Sequence, residues 1–266
     1  MRKEKIGLAL SGGAARGYAE IPVLAKIQKE NIKIDIISGS SAGALIGAYF
    51  ALYGEIDSFV EKLNKVSWKE WLSLIDLNNP KKSLIKGKKV KKFLEKNFFG
   101  NKEFKDTKIK LIVVATDVET LKPIYITKRK IIDAIMASIA MPGIFPTVKK
   151  DGKILTDGQV SEHLPVNILF KKGATKVIGF DVLKNIKIDL EEIEKSNFNL
   201  LLSLFYRSLI TSHIPEKNVF IFEPNFRGKN VKLSNNMRFD KIKNNLEIGE
   251  KEVNKKWKEF QKWIKK

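Results

Sequence analysis

The chain has 266 residues, 43% of them hydrophobic, enough to bury one substantial core without calling for a second domain, and its lack of cysteine excludes disulfides and thiol chemistry. The net charge of +20 invites nucleic acid as a partner, yet the excess is almost all lysine, dispersed along the chain and unaccompanied by a nucleic-acid motif. It reads as a solvated basic surface, and no nucleic-acid partner, metal or cofactor is expected. No stretch approaches the ~18–20 apolar residues of a membrane span, and the first strand follows without an apolar leader, so the expected location is cytoplasmic, with peripheral contact at the inner membrane surface.

The first predicted strand is the apolar run 6–10. It feeds Ser11-Gly12-Gly13-Ala14-Ala15-Arg16-Gly17, after which a helical pattern containing Leu24 and Ile27 begins. A glycine-rich strand-to-helix loop exposes backbone N–H groups, but this one lacks the Gly-Lys-Ser/Thr of a P-loop and the Gly-x-Gly-x-x-Gly of a dinucleotide fold. A second strand at 34–38 runs into Gly39-Ser40-Ser41-Ala42-Gly43 and a helix at 42–53. This Gly-x-Ser-x-Gly pattern lifts a serine on a sharp turn, with Gly39 and Gly43 removing Cβ atoms that would block the bend. Ser41 is therefore the candidate nucleophile. Parallel pairing of the two strands would set the first loop beside it at the carboxyl edge of the sheet, where open α/β folds bind ligands.

Helices through Phe59 and Trp71 come next. The segment 59–101 is rich in large apolar residues, among them Trp68, Leu72, Ile75, Phe93 and Phe98, and reads as core or as a helical lid over an apolar channel by Ser41. Strands follow at 110–116 and 123–127, then a helix at 131–140 that enters Met141-Pro142-Gly143-Ile144-Phe145-Pro146. Further strands at 153–156, 176–182 and 219–223 bracket two more helices. The first ends at Asp157-Gly158-Gln159-Val160. Asp-Gly between extended segments commonly closes a hairpin, but beside Ser41 and two glycine loops Asp157 is the candidate base. There are two histidines. His163 could complete a Ser-Asp-His order and is the rival base, although its place before Leu164-Pro165-Val166 reads as a structural turn. His213, after the helical run 200–205, reads as a helix-end residue. In the basic tail, Val253, Trp257, Phe260 and Ile264 share one helical face. That stripe reads first as core-facing, with docking of a basic amphipathic helix on anionic lipid as the alternative.

The ordered set Ser-Gly-Gly-Ala-Ala-Arg-Gly, Gly-Ser-Ser-Ala-Gly, Met-Pro-Gly-Ile-Phe-Pro and Asp-Gly-x-Val-x-x-x-Leu-Pro-Val resembles the patatin-like phospholipase family. Its single-domain bacterial branch, similar to the catalytic domain of neuropathy target esterase, is the best match. The resemblance spans about residues 5–182. It implies one acyl-hydrolase domain over 1–266, closed by a C-terminal helix at about 249–265. The implied fold is α/β and three-layered, with a mostly parallel central sheet and helices on both faces, as the alternation of elements also suggests.

The same resemblance implies a dyad of Ser41 and Asp157, oxyanion-hole amides from Gly12, Gly13 and Ala14, and support from Arg16, Gly39, Gly43 and Gly158. Three positions depart from the family pattern. Ala14 stands where many relatives have a third glycine, Gln159 replaces Gly or Ala and could crowd the base or rim the pocket, and Glu20 stands where His is frequent. A carboxylate of ordinary pKa, about 4, is a weak base for a serine hydroxyl, so oxyanion donors worth roughly 3–4 kcal/mol each would carry most of the rate. The implied partners are an acyl lipid or other ester and, peripherally, an anionic membrane. A phospholipase A or lysophospholipase-type esterase is expected. A thioesterase or triglyceride lipase would use the same residues, and a non-catalytic lipid-binding module would need none of them.

Overall fold

The computed structural model describes residues 4–79, 83–185, 214–215, 217–226 and 242–266. The helical run 200–205 and His213 lie outside them. Strand β1 (Ile6–Leu10) leads through the glycine loop and a 3-10 turn (Ala14–Glu20) into α1 (Ile21–Lys29), then β2 (Ile36–Ser40) and α2 (Ala42–Tyr53). Helices α3 (Asp57–Asn64), α4 (Trp68–Ser73) and α5 (Lys88–Leu94) follow, the last running on as a π turn (Glu95–Phe99). Next come β3 (Lys110–Asp117), β4 (Pro123–Ile126), α6 (Ile131–Ser138), β5 (Val148–Lys150), β6 (Lys153–Asp157), α7 (Val166–Lys171), β7 (Lys176–Phe180), β8 (Val219–Phe222) and α8 (Ile242–Ile264).

The eight strands among the described residues form one sheet in the order β5-β6-β3-β2-β1-β7-β8, with β4 also on β3. Strands β3, β2, β1, β7 and β8 run parallel, and β4, β5 and β6 add antiparallel pairings at one edge. Alternation along the strands builds two cores. In β1, Leu8 and Leu10 join a large cluster under α1, α2, α6 and α8, whereas Ala9 joins a smaller one with Leu164, Ile168 and Leu169 of the α7 region. The expected three-layer architecture, mostly parallel at its centre, is the one observed.

Helix α2 is apolar on every side and almost wholly buried, as its sequence AGALIGAYFALY requires. Helix α8 begins at Ile242, earlier than the apolar stripe suggested. Its Val253, Trp257 and Phe260 are buried against the sheet and the 3-10 turn, so the stripe is core and not a lipid-facing surface. Polar contacts help fix its docking, among them the bond that Trp257 Nε1 donates to Glu30 Oε1 at 3.0 Å and the one that Asn245 Nδ2 donates to the Ala15 carbonyl at 2.8 Å. Among the described residues no helix is long and apolar enough to cross a membrane.

Strand β2 ends at Ser40, two positions beyond the apolar run that announced it. Its last residues are small and polar but buried, because Ser38 Oγ donates to the Pro165 carbonyl at 2.6 Å and Ser40 Oγ to the Glu162 carbonyl at 2.5 Å. Strand β5, absent from the sequence reading, pairs with β6 across Asp151-Gly152, both at positive φ (48° and 77°). That dipeptide is the Asp-Gly hairpin. Asp157-Gly158 instead enters a 3-10 turn (Gly158–Val160).

Candidate active site

Register brings the site together. Leu10 of β1 faces Gly39 of β2, so the glycine loop and the serine turn leave the same edge of the sheet side by side. In β3, Val114 pairs with both Ser40 and Tyr125, and Ala115 with both Asp157 and Ile124. Because β4 takes one edge of β3 along these positions, β2 and β6 must share the other edge end to end. Ser40 and Asp157 thus occupy consecutive rungs, although they are far apart in the chain.

Ser41 alone links β2 to α2, at φ 51° and ψ −118°. A non-glycine residue in that region stores about 1–3 kcal/mol of strain, which the surrounding structure must hold. Close packing does so: a Cβ on Gly39 would stand 2.5 Å from the Gly43 carbonyl oxygen, and one on Gly43 would stand 2.5 Å from the Leu10 carbonyl. The Gly43 N–H donates to the Ser11 carbonyl at 3.0 Å, joining the two loops directly. The Ser41 N–H donates to Ser138 Oγ at 2.9 Å. Ser138 went unnoticed in the sequence; the signal was a lone hydroxyl in the otherwise apolar end of α6.

Ser41 Oγ donates to Asp157 Oδ2 at 2.8 Å. The other carboxylate oxygen accepts the Gln159 N–H at 2.9 Å, and the Asp157 N–H donates to the Ala140 carbonyl at 3.1 Å. Gly158 packs against β3 so closely that a Cβ there would stand 2.1 Å from the Val114 carbonyl oxygen. Asp157 is fully buried, and burial pushes its carboxyl up to about 7, against the opposing pull of the Gln159 N–H and the Ser41 hydroxyl. The ordinary carboxylate value assumed from sequence is therefore corrected by desolvation.

The glycine loop departs from expectation at one residue. The Gly12 N–H donates to the His163 carbonyl at 3.2 Å, so that amide is engaged within the protein. Among the described residues no acceptor is recorded for the Gly13 or Ala14 N–H, and Ala14 holds a positive φ of 50°. Gln159 neither crowds the base nor rims the cavity. It is buried behind the loop, its Oε1 2.1 Å from where a Cβ on Gly12 would stand. Arg16 is buried at the 3-10 turn with its guanidinium 5.7 Å from the centre of the Phe226 ring, while its N–H donates to the Gly13 carbonyl at 3.1 Å.

Behind the loop lies a buried acidic network. Glu20 Oε1 accepts the Ser11 N–H at 2.8 Å and the Ser11 hydroxyl at 3.1 Å, and burial holds its carboxyl well above the ordinary range despite those donors. His163 Nε2 lies 2.7 Å from Asp181 Oδ1. Burial works to raise the Asp181 carboxyl, but the charge and hydrogen bond of His163 and the N–H groups of Leu183 and Lys184 outweigh it and hold it low. The imidazole is thus committed to Asp181, and the carboxylate that meets Ser41 is bonded to Gln159 instead.

From Ser41 and Ala14 an apolar cavity of about 290 Å³ runs between α2, α3, α4, α5 and the turn after α6. Leu45, Phe59, Leu63 and Phe98 form its inner walls; Trp71, Leu72, Leu74, Ile75 and Ile85 line it farther along the chain, and Met141, Ile144 and Phe145 close the remaining side. The segment 59–101 is therefore divided. Phe59, Phe98 and Phe99 are core, in ring contact with Tyr49 at 4.9, 6.1 and 6.4 Å, while the part around Trp71 to Ile85 lines the cavity with side chains that are partly or largely exposed.

Comparison with known proteins follows the same lines. The family model of patatin-like phospholipases matches residues 8–170, which hold the glycine loop, Ser41 and Asp157. Neuropathy target esterase sws of Drosophila melanogaster is 32% identical over 190 residues, covering 70% of this chain and 13% of that protein. Lysophospholipase NTE1 of Debaryomyces hansenii is 30% identical over 189 residues, covering 68% of this chain and 12% of that protein. The chain thus spans about an eighth of the length of these curated relatives, 13% and 12% respectively. Among solved structures, the crystal structure of VipD from Legionella pneumophila matches with a TM-score of 0.43 at 12% identity, covering 93% of this chain and 67% of that one. With the family match extending from β1 into α7 and covering more than half of the chain, the chain belongs to the patatin-like phospholipase family.

Proposed function

We propose that this domain is a serine lipid acyl hydrolase working through a Ser41–Asp157 dyad and an acyl-enzyme. The observation that carries the reading is the 2.8 Å Ser41–Asp157 hydrogen bond at the end of an apolar cavity. Asp157, as carboxylate, accepts the Ser41 hydroxyl proton while Oγ attacks the ester carbonyl carbon. The Gly13 and Ala14 N–H groups take the developing oxyanion. Collapse breaks the acyl–oxygen bond, and the leaving alcohol departs with the proton from Asp157. Water then attacks the acyl-enzyme as Asp157 takes its proton, releasing the fatty acid and returning the proton to Ser41. A base near pH 7 is better matched to these transfers than an ordinary aspartate, the apolar walls suit the chain of a lipid ester, and a relative of this chain is named a lysophospholipase.

Fluorophosphonate labelling and hydrolysis of p-nitrophenyl esters test the reading. Wild type should label and cleave. Ser41→Ala should lose labelling and roughly 10³–10⁵-fold of the activity, while His163→Gln, which keeps a donor for Asp181, should retain both. Because Asp157 must be deprotonated to act, kcat/KM should rise with pH and level off above about 7. An unlabelled, inert wild type, or full activity in Ser41→Ala, overturns the proposal.

A further inference from the structure

Large apolar side chains exposed to solvent are unevenly distributed. Of the seven among the described residues, Leu72, Ile75, Leu77 and Leu84 fall within one stretch around α4 and the segment after it. Leu77 is the most exposed of all, at 75%. Leu72 and Ile75 also line the acyl cavity, and Leu77 is tied by an antiparallel bridge to Ile85, another lining residue. These three leucines and one isoleucine therefore form a lip that continues the cavity wall out to the surface. An apolar patch of this kind marks an interaction site.

The surroundings of the lip carry positive charge. Residues 65–96 contain ten lysines against three acidic residues. A second concavity, of about 470 Å³, is lined by Lys86, Lys88, Lys91, Arg129, Lys149 and Lys150, and it shares the Phe145 wall with the acyl cavity. Two of these cations are neutralised, Lys91 by Asp133 at 2.7 Å and Arg129 by Asp151 at 2.9 Å. Among the described residues no ion pair is recorded for Lys86, Lys88, Lys149 or Lys150. An apolar lip bordered by uncompensated lysines is complementary to a bilayer leaflet with anionic head groups: the side chains enter the head-group boundary while the lysines meet lipid phosphates.

We propose that this lip and the adjoining lysine groove are the face on which the protein docks to an anionic membrane, setting the mouth of the acyl cavity against the lipid. The proposal rests on the hydrolase reading only for what the cavity receives; docking itself is measured independently. It also replaces the tail helix as the membrane-facing element, since that helix's apolar stripe is buried.

Vesicle co-sedimentation tests it, using phosphatidylcholine with and without phosphatidylglycerol at low and high salt. Wild type should partition onto the anionic vesicles, weakly onto neutral ones, and less at high salt. Leu77→Asp/Leu84→Asp should lower partitioning at least about 10-fold, and Lys86→Glu/Lys88→Glu/Lys149→Glu about 10²-fold, given that each lysine near an anionic surface contributes about 5-fold. Lys255→Glu/Lys258→Glu/Lys262→Glu, on the exposed side of α8, makes the same change of charge as the groove variant and should leave binding near wild type. None of these residues lines the acyl cavity, so all variants should cleave a short soluble ester at the wild-type rate. Equal binding to neutral and anionic vesicles, equal losses in the α8 control, or unaltered binding in the lip and groove variants overturns the proposal. A solution dimer abolished by Leu77→Asp/Leu84→Asp, with vesicle binding unchanged, would make the lip a subunit interface instead. Loss of soluble-ester hydrolysis in wild type sinks the hydrolase reading and leaves the docking result standing.

Discussion

Above pH 7, Asp157→Asn should abolish ester hydrolysis and make the protein more stable. The first effect follows from removing the one carboxylate that, among the described residues, is bonded to Ser41, and a fall of roughly 10³–10⁴-fold is expected. The second follows from burial. The Asp157 carboxyl is raised from an ordinary 3.8 to about 7 by desolvation, so keeping it ionised in the folded state is unfavourable. A carboxyl raised in the native state contributes its full share of stability below its unfolded value and loses that share as pH rises through the native one. The penalty is thus absent below about 3.8, grows through the interval and is complete above about 7. Three pKa units correspond to about 4 kcal/mol, and burial of the replacement amide takes back part of this, leaving about 2–4 kcal/mol. Asparagine keeps an oxygen to accept the Gln159 N–H, and its NH2, in place of Oδ2, can donate to Ser41 Oγ. For a domain of this size the melting temperature should rise by about 5–10 °C at alkaline pH and by little near pH 4. Thermal melts of both proteins across that range decide it. A gain independent of pH would mean the carboxylate is not the source.

This balance explains why the candidate site was legible in sequence before its energetics were. Ser41 and Asp157 announce themselves by the glycines around them, and those glycines are there because backbone passes within contact distance. The apolar runs of β1, β3, β7 and β8 likewise announce a buried parallel sheet. What the pattern could not carry was the register. Nothing in the residues says that β2 and β6 lie end to end along β3, yet that arrangement alone sets Ser40 and Asp157 on consecutive rungs. The end of β2 was missed because Ser38, Gly39 and Ser40 have turn composition, and their burial depends on carbonyls of Pro165 and Glu162, contributed by a distant segment. The engagement of the Gly12 N–H by His163 was hidden for the same reason. The raised pKa of the Asp157 carboxyl is a property of enclosure, and no local spacing reports enclosure.

The tightness of that enclosure makes the second large effect a steric one, and two glycines of the same helix separate it from helix propensity. Replacing either Gly43 or Gly47 with alanine favours α2 intrinsically by about 1 kcal/mol. At Gly47 the new methyl meets only side chains, Ile37 Cγ2 at 3.0 Å and Leu10 Cδ1 at 3.1 Å, which shift by a few tenths of an ångström, so the net change should stay within about 1 kcal/mol. At Gly43 it meets backbone alone, the Leu10 carbonyl at 2.5 Å and the Ser11 carbonyl oxygen at 2.6 Å. Backbone of a central strand cannot yield so cheaply. Relief requires α2 to lift from the end of β1, which breaks the 3.0 Å bond from the Gly43 N–H to Ser11 and moves the serine turn away from the glycine loop. Gly43→Ala should therefore lose at least about 3 kcal/mol in denaturant unfolding, and the folded fraction should lose about 10²-fold in kcat, the scale of a 1 Å misplacement of catalytic groups. Equal stability and equal turnover in the two alanine variants would show that contact between the two loops does not hold Ser41 in place.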